Sequence, residues 1–188
     1  MKVRKLLIVL FVLSLWGGTM VFADAAAQRV NILVNGKEGV NSGVIIDGQT
    51  LLPLREIAGS LQALVAWDND TKKVIVTKPN VHMFLFQDQK TFGNVDKNNR
   101  YTFNVFAQID NLTTQISAVK VSIFNPANQE TVIQSQDVNL KGKDNFWFRT
   151  ENIKYHFETE GKYAVRFFMK ASPTDEWGLV SEKIITAE

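Results

Sequence analysis

The 188 residues include no cysteine and two histidines. This excludes disulfides, a lipid-bearing lipobox cysteine and any three-histidine copper or zinc site drawn from one chain's histidines. Lys and Arg number 21 against 19 Asp and Glu, but three of the basic residues (Lys2, Arg4 and Lys5) and none of the acidic ones fall in residues 1–23; without that segment the balance is 18 to 19, a net charge of −1, which gives no electrostatic case for nucleic acid or an anionic membrane as partner.

The chain opens on that basic start. Leu6 to Trp16 follows as an apolar run broken only by Ser14, and Val21-Phe22-Ala23 places small or modest residues ahead of Asp24. The pattern predicts a secretory signal peptide over residues 1–23, with a retained N-terminal anchor as the alternative. The apolar run is short for a membrane span. Cleavage after Ala23 removes 23 of the 188 residues and leaves 165, enough for one large or two small domains. The last residues, Ile184 to Glu188, show neither an apolar tail nor a basic stop, so covalent wall anchoring is not expected. The expected location is secreted or cell-envelope-associated.

The chain is organised around the stretch Val34 to Val76. Asn35-Gly36 and Asp47-Gly48 are the residue pairs that tolerate positive φ in a tight hairpin turn. Pro53 fits a first helical position, where its missing N–H has no intrahelical partner. Leu54, Ile57, Ala58 and Leu61 then recur at helical spacing. A helix of roughly 8–10 residues is marginal alone and needs strands to pack on. Val65 and Trp67, then Val74 and Val76, predict a hairpin around the polar turn Asp68 to Lys72. Trp67, as the largest apolar side chain nearby, is expected in the core against the helix.

Taken together, Val34-Asn35-Gly36, Asp47-Gly48, Leu52-Pro53-Leu54-Arg55, Leu61, Ala63, Val65, Trp67-Asp68 and Lys73-Val74-Ile75-Val76 resemble the copper amine oxidase-like N-terminal domain, or stalk domain, family. The one departure is Gln62, which stands where the family's helix usually ends in glycine. The resemblance implies an antiparallel sheet curled around one short helix, in a secreted or surface protein. It does not imply copper chemistry, since the family takes its name from an enzyme to which the domain is attached. The expected stalk domain spans residues 28–86.

Lys78-Pro79-Asn80 breaks the last strand of that unit, and Val81 to Phe86 resumes as strand. Gln87 to Arg100 is polar and reads either as a linker or as a long hairpin. Beyond it the chain is all strand. Tyr101, Phe103, Val105, Ala107 and Ile109 alternate with polar residues and Phe106; Val119, Val121 and Ile123 alternate with Lys120, Ser122 and Phe124; Tyr163, Val165, Phe167 and Met169 alternate with Ala164, Arg166, Phe168 and Lys170. Gly161-Lys162-Tyr163-Ala164-Val165 resembles the tyrosine corner of immunoglobulin-like sandwiches, with Val165 in the position of a disulfide cysteine and Thr159 where an aspartate often stands. Residues 95–188 are therefore expected to form an all-β Ig-like or fibronectin-like sandwich; any other small β-sandwich is the alternative. The fold class expected for the chain is an α+β stalk domain followed by this sandwich.

Catalytic signals are sparse. Neither Gly-x-Ser-x-Gly nor a phosphate-binding glycine loop occurs. His82 and His156 read as ordinary strand residues. Asp68-Asn69-Asp70 lacks the downstream Gly and Glu of a calcium loop and reads as a hairpin turn. Arg55 is expected at the helix surface or paired with a carboxylate such as Asp47. No catalytic residue, metal or cofactor is expected. An interaction surface is the open question. Phe106, Phe124 and Phe168 should face outward, either as an exposed cluster or beneath a covering element, and Trp147 and Trp177 join them as candidates. The expected function is that of a secreted, non-catalytic Gram-positive envelope protein, a structural spacer or protein-interaction module whose partner is an extracellular protein or a cell-wall component. A carbohydrate- or wall-binding module is the alternative, for which Trp147, Tyr155 and Trp177 would have to form a planar exposed row. A secreted enzyme or enzyme inhibitor is third.

Overall fold

The computed structural model describes residues 28–39 and 41–188. The expected signal segment and its cleavage site lie outside the described residues. What is described is mostly β-structure with one short helix. The described residues divide into two compact units, those up to Pro53 and those from Leu54 to Glu188.

In the first unit, β1 (Gln28–Val30), β4 (Gly43–Ile46) and β5 (Gln49–Leu51) form an antiparallel sheet in the order β1-β4-β5, while β2 (Leu33–Val34) and β3 (Lys37–Glu38) form a separate small hairpin. Both tight turns fall on the expected dipeptides. Val34 pairs with Lys37 and Ile46 with Gln49, leaving two-residue loops. Asn35 and Gly36 have φ of 51° and 74°, Asp47 and Gly48 of 50° and 74°. Positive φ at both positions gives the turn the twist that antiparallel strands require, and only Gly, Asn and Asp adopt it readily.

The second unit starts with α1 (Leu54–Ser60), immediately after Pro53. Its end is closed without glycine. The Gln62 N–H donates to the Gly59 carbonyl at 3.0 Å and the Ala63 N–H to the Ala58 carbonyl at 2.8 Å, with Gln62 at φ 59°. This pair of crossed bonds is the Schellman closure, in which the left-handed residue is usually Gly. Lys78 Nζ donates to the Leu61 carbonyl at 2.6 Å, satisfying another terminal acceptor. A Cβ in the left-handed region costs roughly 1–2 kcal/mol. Gln62→Gly should therefore raise stability by about 1 kcal/mol, less what the freer unfolded chain offsets. A higher urea midpoint at unchanged m-value is the expected reading.

Next come β6 (Leu64–Asp68) and β7 (Lys73–Thr77), paired from Leu64↔Thr77 to Asp68↔Lys73. The Asp68 carboxylate accepts from the Asp70 and Thr71 N–H groups at 3.0 and 3.2 Å and from the Thr71 hydroxyl. The Thr71 hydroxyl, then the Thr71 and Asp70 amides, hold the Asp68 carboxyl below the usual carboxylate range. Asp68 is thus committed to its own turn.

The remaining strands build two facing sheets. One runs β10 (Asn94–Val95), β17 (Gly178–Ala187), β16 (Gly161–Lys170), β12 (Ala118–Phe124), β13 (Glu130–Asp137); only the β10–β17 pairing is parallel. The other runs β14 (Phe146–Arg149), β11 (Asn99–Asp110), β8 (Asn80–Gln87), β9 (Lys90–Thr91), with β15 (Ile153–Phe157) alongside the first half of β11. The alternating positions meet in one core. Met83 and Leu85, Phe103, Val105 and Ile109, Val119, Val121 and Ile123, and Tyr163, Val165, Phe167 and Met169 are all buried there. This is the inward register expected of period-two strands.

At one end of that core the Tyr163 hydroxyl donates to the Thr159 carbonyl at 2.9 Å and accepts from the Thr159 N–H at 3.1 Å. The hydroxyl reaches back to backbone just upstream, as in a tyrosine corner. Tyr163→Phe keeps the ring but strands both Thr159 groups, and should lower stability by about 1–3 kcal/mol in chemical denaturation.

The boundaries differ from the expected 28–86 and 95–188. Strand β8 pairs along β11 from Asn80↔Asp110 to Phe86↔Asn104, so it is a sandwich strand. Gln87 to Arg100 is not a free linker: it holds β9, β10 and the start of β11. The α1 helix and β6 pack against β17, and Leu64 of the hairpin joins the sandwich core. Trp67 is a correction. It is 50% exposed, and its Nε1–H donates to Asn69 Oδ1 at 2.6 Å. The β6 register turns Leu64 inward, which puts Val65 and Trp67 on the opposite face.

Candidate functional site

The outward aromatics fall on two different sheets. Phe124 on β12 and Phe168 on β16 are neighbours, with ring centroids 6.3 Å apart. Neither an open patch nor a covering helix describes them, because the protein's own cations cap them. The Arg166 guanidinium lies 4.3 Å from the Phe124 ring centre and Lys120 Nζ 4.6 Å from that of Phe168. Each cation is also paired, Arg166 Nε with Glu182 at 2.7 Å and Lys120 Nζ with Glu130 at 2.7 Å. Lys120, then the Ser122 hydroxyl, hold the Glu130 carboxyl below its ordinary value. Trp177 belongs to the same face, with Lys170 and Lys120 Nζ 5.0 and 5.4 Å from its ring centre.

Phe106 is on the other sheet, opposite Phe84 of β8 and Arg149 of β14. Trp147, opposite Gln108, is 77% exposed. Phe106 and Trp147 therefore share a face with each other but not with Phe124, Phe168 and Trp177. Tyr155 belongs to neither group. Its ring packs on Phe157 and Tyr163 with centroids 4.9 and 6.0 Å away, and burial, followed by the neighbouring Tyr163, raises its pKa. The planar row of Trp147, Tyr155 and Trp177 does not form.

The histidines are equally dispersed. His82 is exposed opposite Gln108, and His156 sits opposite Arg100 with its Nδ1 3.5 Å from Glu158 Oε1. Their partners Gln108 and Arg100 are separated along the same strand by about 26 Å at 3.3 Å per residue. No group of three or more His, Cys, Asp or Glu gathers among the described residues. These residues do not fit a copper centre.

Two concavities open on the second unit. One, of about 840 Å³, is lined by the loops 112–117, 138–143 and 171–173 and carries no aromatic side chain. The other, of about 740 Å³, brings Arg55, Trp67, Asn69 and Ile75 from the helix and hairpin together with Phe168, Asp175, Glu176 and Trp177 from the sandwich. The sequence points to Trp177 but not to the cleft, and it assigns Trp67 to the core. No local signal joins residues so far apart in the chain. The Arg55 side chain has no hydrogen bond or ion pair to any described residue. Asp175 accepts from the Ser172 N–H at 2.9 Å, which fixes its loop.

A family model for the copper amine oxidase N-terminal domain matches residues 33–140, more than half of the chain. The chain belongs to the copper amine oxidase N-terminal domain family. The match begins at β2, takes in α1 and the β6–β7 hairpin, and continues through β13, well past the expected end of the stalk at residue 86. What matches is the N-terminal domain of those oxidases, a stalk-like module. Comparison with curated proteins returns no match.

Proposed function

We propose that this member of the copper amine oxidase N-terminal domain family is a secreted, non-catalytic protein of a Gram-positive cell envelope, acting as a structural spacer or protein-interaction module. The observation that carries the reading is the family match over residues 33–140, which is to the N-terminal domain of the oxidases and not to their catalytic part. The sandwich fits the same role. Its sheet order, the parallel β10–β17 pairing and the Tyr163 corner support an Ig-like arrangement, a common architecture for extracellular spacers. The two dispersed histidines leave little with which to build redox or hydrolytic metal chemistry.

The basic start, apolar run and Val21-Phe22-Ala23 support export with cleavage before Asp24. Fractionation of the producing cell, with intact-mass measurement of the exported form, tests this: the expected species starts at or near Asp24 and resides in the envelope or medium. A protein confined to the cytoplasm with residues 1–23 still attached sinks the reading. Wall binding is a second reading, favoured by one observation: two tryptophans from separate elements line one cleft.

A further inference from the structure

We propose that the cleft between the β6–β7 hairpin and the loop leading into β17 binds a neutral oligosaccharide. Its volume of about 740 Å³ lies within the roughly 300–1,000 Å³ of small-ligand sites. Its lining mixes flat apolar surface with a few hydrogen-bonding groups. Trp67 and Trp177 supply indole faces, on which the C–H face of a pyranose ring can stack; Arg55 supplies donors, Asn69 both donor and acceptor, and Asp175 and Glu176 acceptors. Sugar hydroxyls both donate and accept, so a lining of this composition matches them.

The indoles are held before any ligand arrives. The Trp67 Nε1–H is fixed to Asn69 Oδ1 at 2.6 Å. Trp177 has two ammonium groups, 5.0 and 5.4 Å from its ring centre, from Lys170 and Lys120. Both lysines rise from adjacent strands of one sheet, since Lys120 stands opposite Phe168, two residues before Lys170. That sheet braces the ring. Rings fixed in advance lose less freedom on binding. The register that turns Leu64 into the core leaves the Trp67 ring half exposed on the hairpin, where a ligand can reach it.

Charge selects the class of sugar. The one cation among the named lining residues, Arg55, has no described partner, and two carboxylates, Asp175 and Glu176, stand with it. The ammonium groups of Lys170 and Lys120 at the Trp177 ring, the second paired with Glu130, offset these carboxylates, so the cleft carries no strong field of either sign and a neutral glycan is the matching class.

The inference adds a ligand to the spacer reading and does not rest on it: an exported spacer without sugar affinity would leave the proposed function standing and sink this one. The test uses the exported full-length protein, titrated by calorimetry and tryptophan fluorescence with chitohexaose and cellohexaose, and with a polygalacturonate oligomer as the acidic control. Saturable binding of at least one neutral probe, weaker binding of the acidic one, and a loss of at least about 10-fold in affinity in both Trp67→Ala and Trp177→Ala are expected. Trp147→Ala, on the other sheet, should bind as the parent does, and Trp67→Phe should recover much of the loss. If Trp177→Ala does not fold, Trp67→Ala decides, because its ring is exposed. No saturable binding of either neutral probe up to about 10 mM overturns the proposal. So does binding that survives Trp67→Ala, that is lost equally in Trp147→Ala, or that is stronger for the acidic oligomer.

Discussion

Phe157→Ala should lower stability by about 3–5 kcal/mol. Phe157 is fully buried at the meeting point of the sandwich's aromatic cluster. Its ring lies 4.9 Å from those of Tyr155 and Tyr163 and 5.9 and 6.3 Å from those of Tyr101 and Phe103, mostly in edge-on geometry. Truncation removes a ring contact from all four neighbours at once and leaves a cavity in the core. Phe157 also anchors backbone, since its carbonyl accepts from the Asn98 N–H at 2.6 Å, between β10 and β11. A loss of that size is a large part of a typical domain's 5–15 kcal/mol. Urea unfolding followed by far-ultraviolet circular dichroism and tyrosine fluorescence measures it. The instructive comparison is Trp67→Ala. From sequence, Trp67 ranks as the core residue and should cost as much. With its ring half exposed, the change should cost about 0.5–1 kcal/mol instead. Equal losses in the two variants would mean that Trp67 is buried after all.

Why the turns were legible and the hairpin's inner face was not has a physical basis. A two-residue hairpin loop requires positive φ at two successive residues, and few residue pairs tolerate that. Asn35-Gly36 and Asp47-Gly48 therefore report their conformation locally. The helix end was half legible. Its position could be read from the apolar spacing, but the residue type of Gln62 does not favour the left-handed conformation it takes; only its place at the family's usual glycine marked it, and the crossed bonds to Ala58 and Gly59 impose it. Strand β6 carried an ambiguous signal. Leu64 and Ala66 lie on one face, Val65 and Trp67 on the other, so both faces are apolar and period two cannot choose between them. The choice is made by β17, far along the chain.

The same distinction holds for the aromatic faces. Outward placement of Phe106, Phe124 and Phe168 follows from strand parity, and the structure agrees. Which sheet each belongs to depends on pairing, and what covers Phe124 and Phe168 depends on cations from neighbouring strands. The early start of the sandwich was hidden by Pro79. A proline ends β7 because it lacks the N–H a ladder needs, but it does not say whether the strand that resumes at Asn80 pairs with the segment before it or with the segment after it.

Leu64 and Gly178 should behave as a coupled pair. Leu64 is the hairpin's buried contribution to the sandwich core, and Gly178 opens β17 beneath it. A methyl group built on Gly178 would lie 2.3 Å from Leu64 Cδ2, well inside contact distance. The glycine is thus the seat for the leucine. Leu64→Ala should lower stability by about 2–5 kcal/mol through lost burial and a residual cavity. Gly178→Ala should lower it by about 1–3 kcal/mol by forcing the leucine to another rotamer and lifting the hairpin. In the double variant the methyl group introduced by Gly178→Ala enters the volume that the Leu64 side chain has vacated, so the combined loss should fall short of the sum by about 1–2 kcal/mol. Urea midpoints and m-values of the four proteins test this. Strict additivity would show that Leu64 does not seat on Gly178. The pair also reaches the cleft, because Leu64 and Gly178 both line it, between Trp67 on the hairpin and Trp177 beside Gly178. Gly178→Ala changes none of the cleft's polar groups, yet it should weaken oligosaccharide binding by moving one indole relative to the other. Leu64→Ala in the same background should restore part of that affinity, although stability falls further because the leucine's burial is lost.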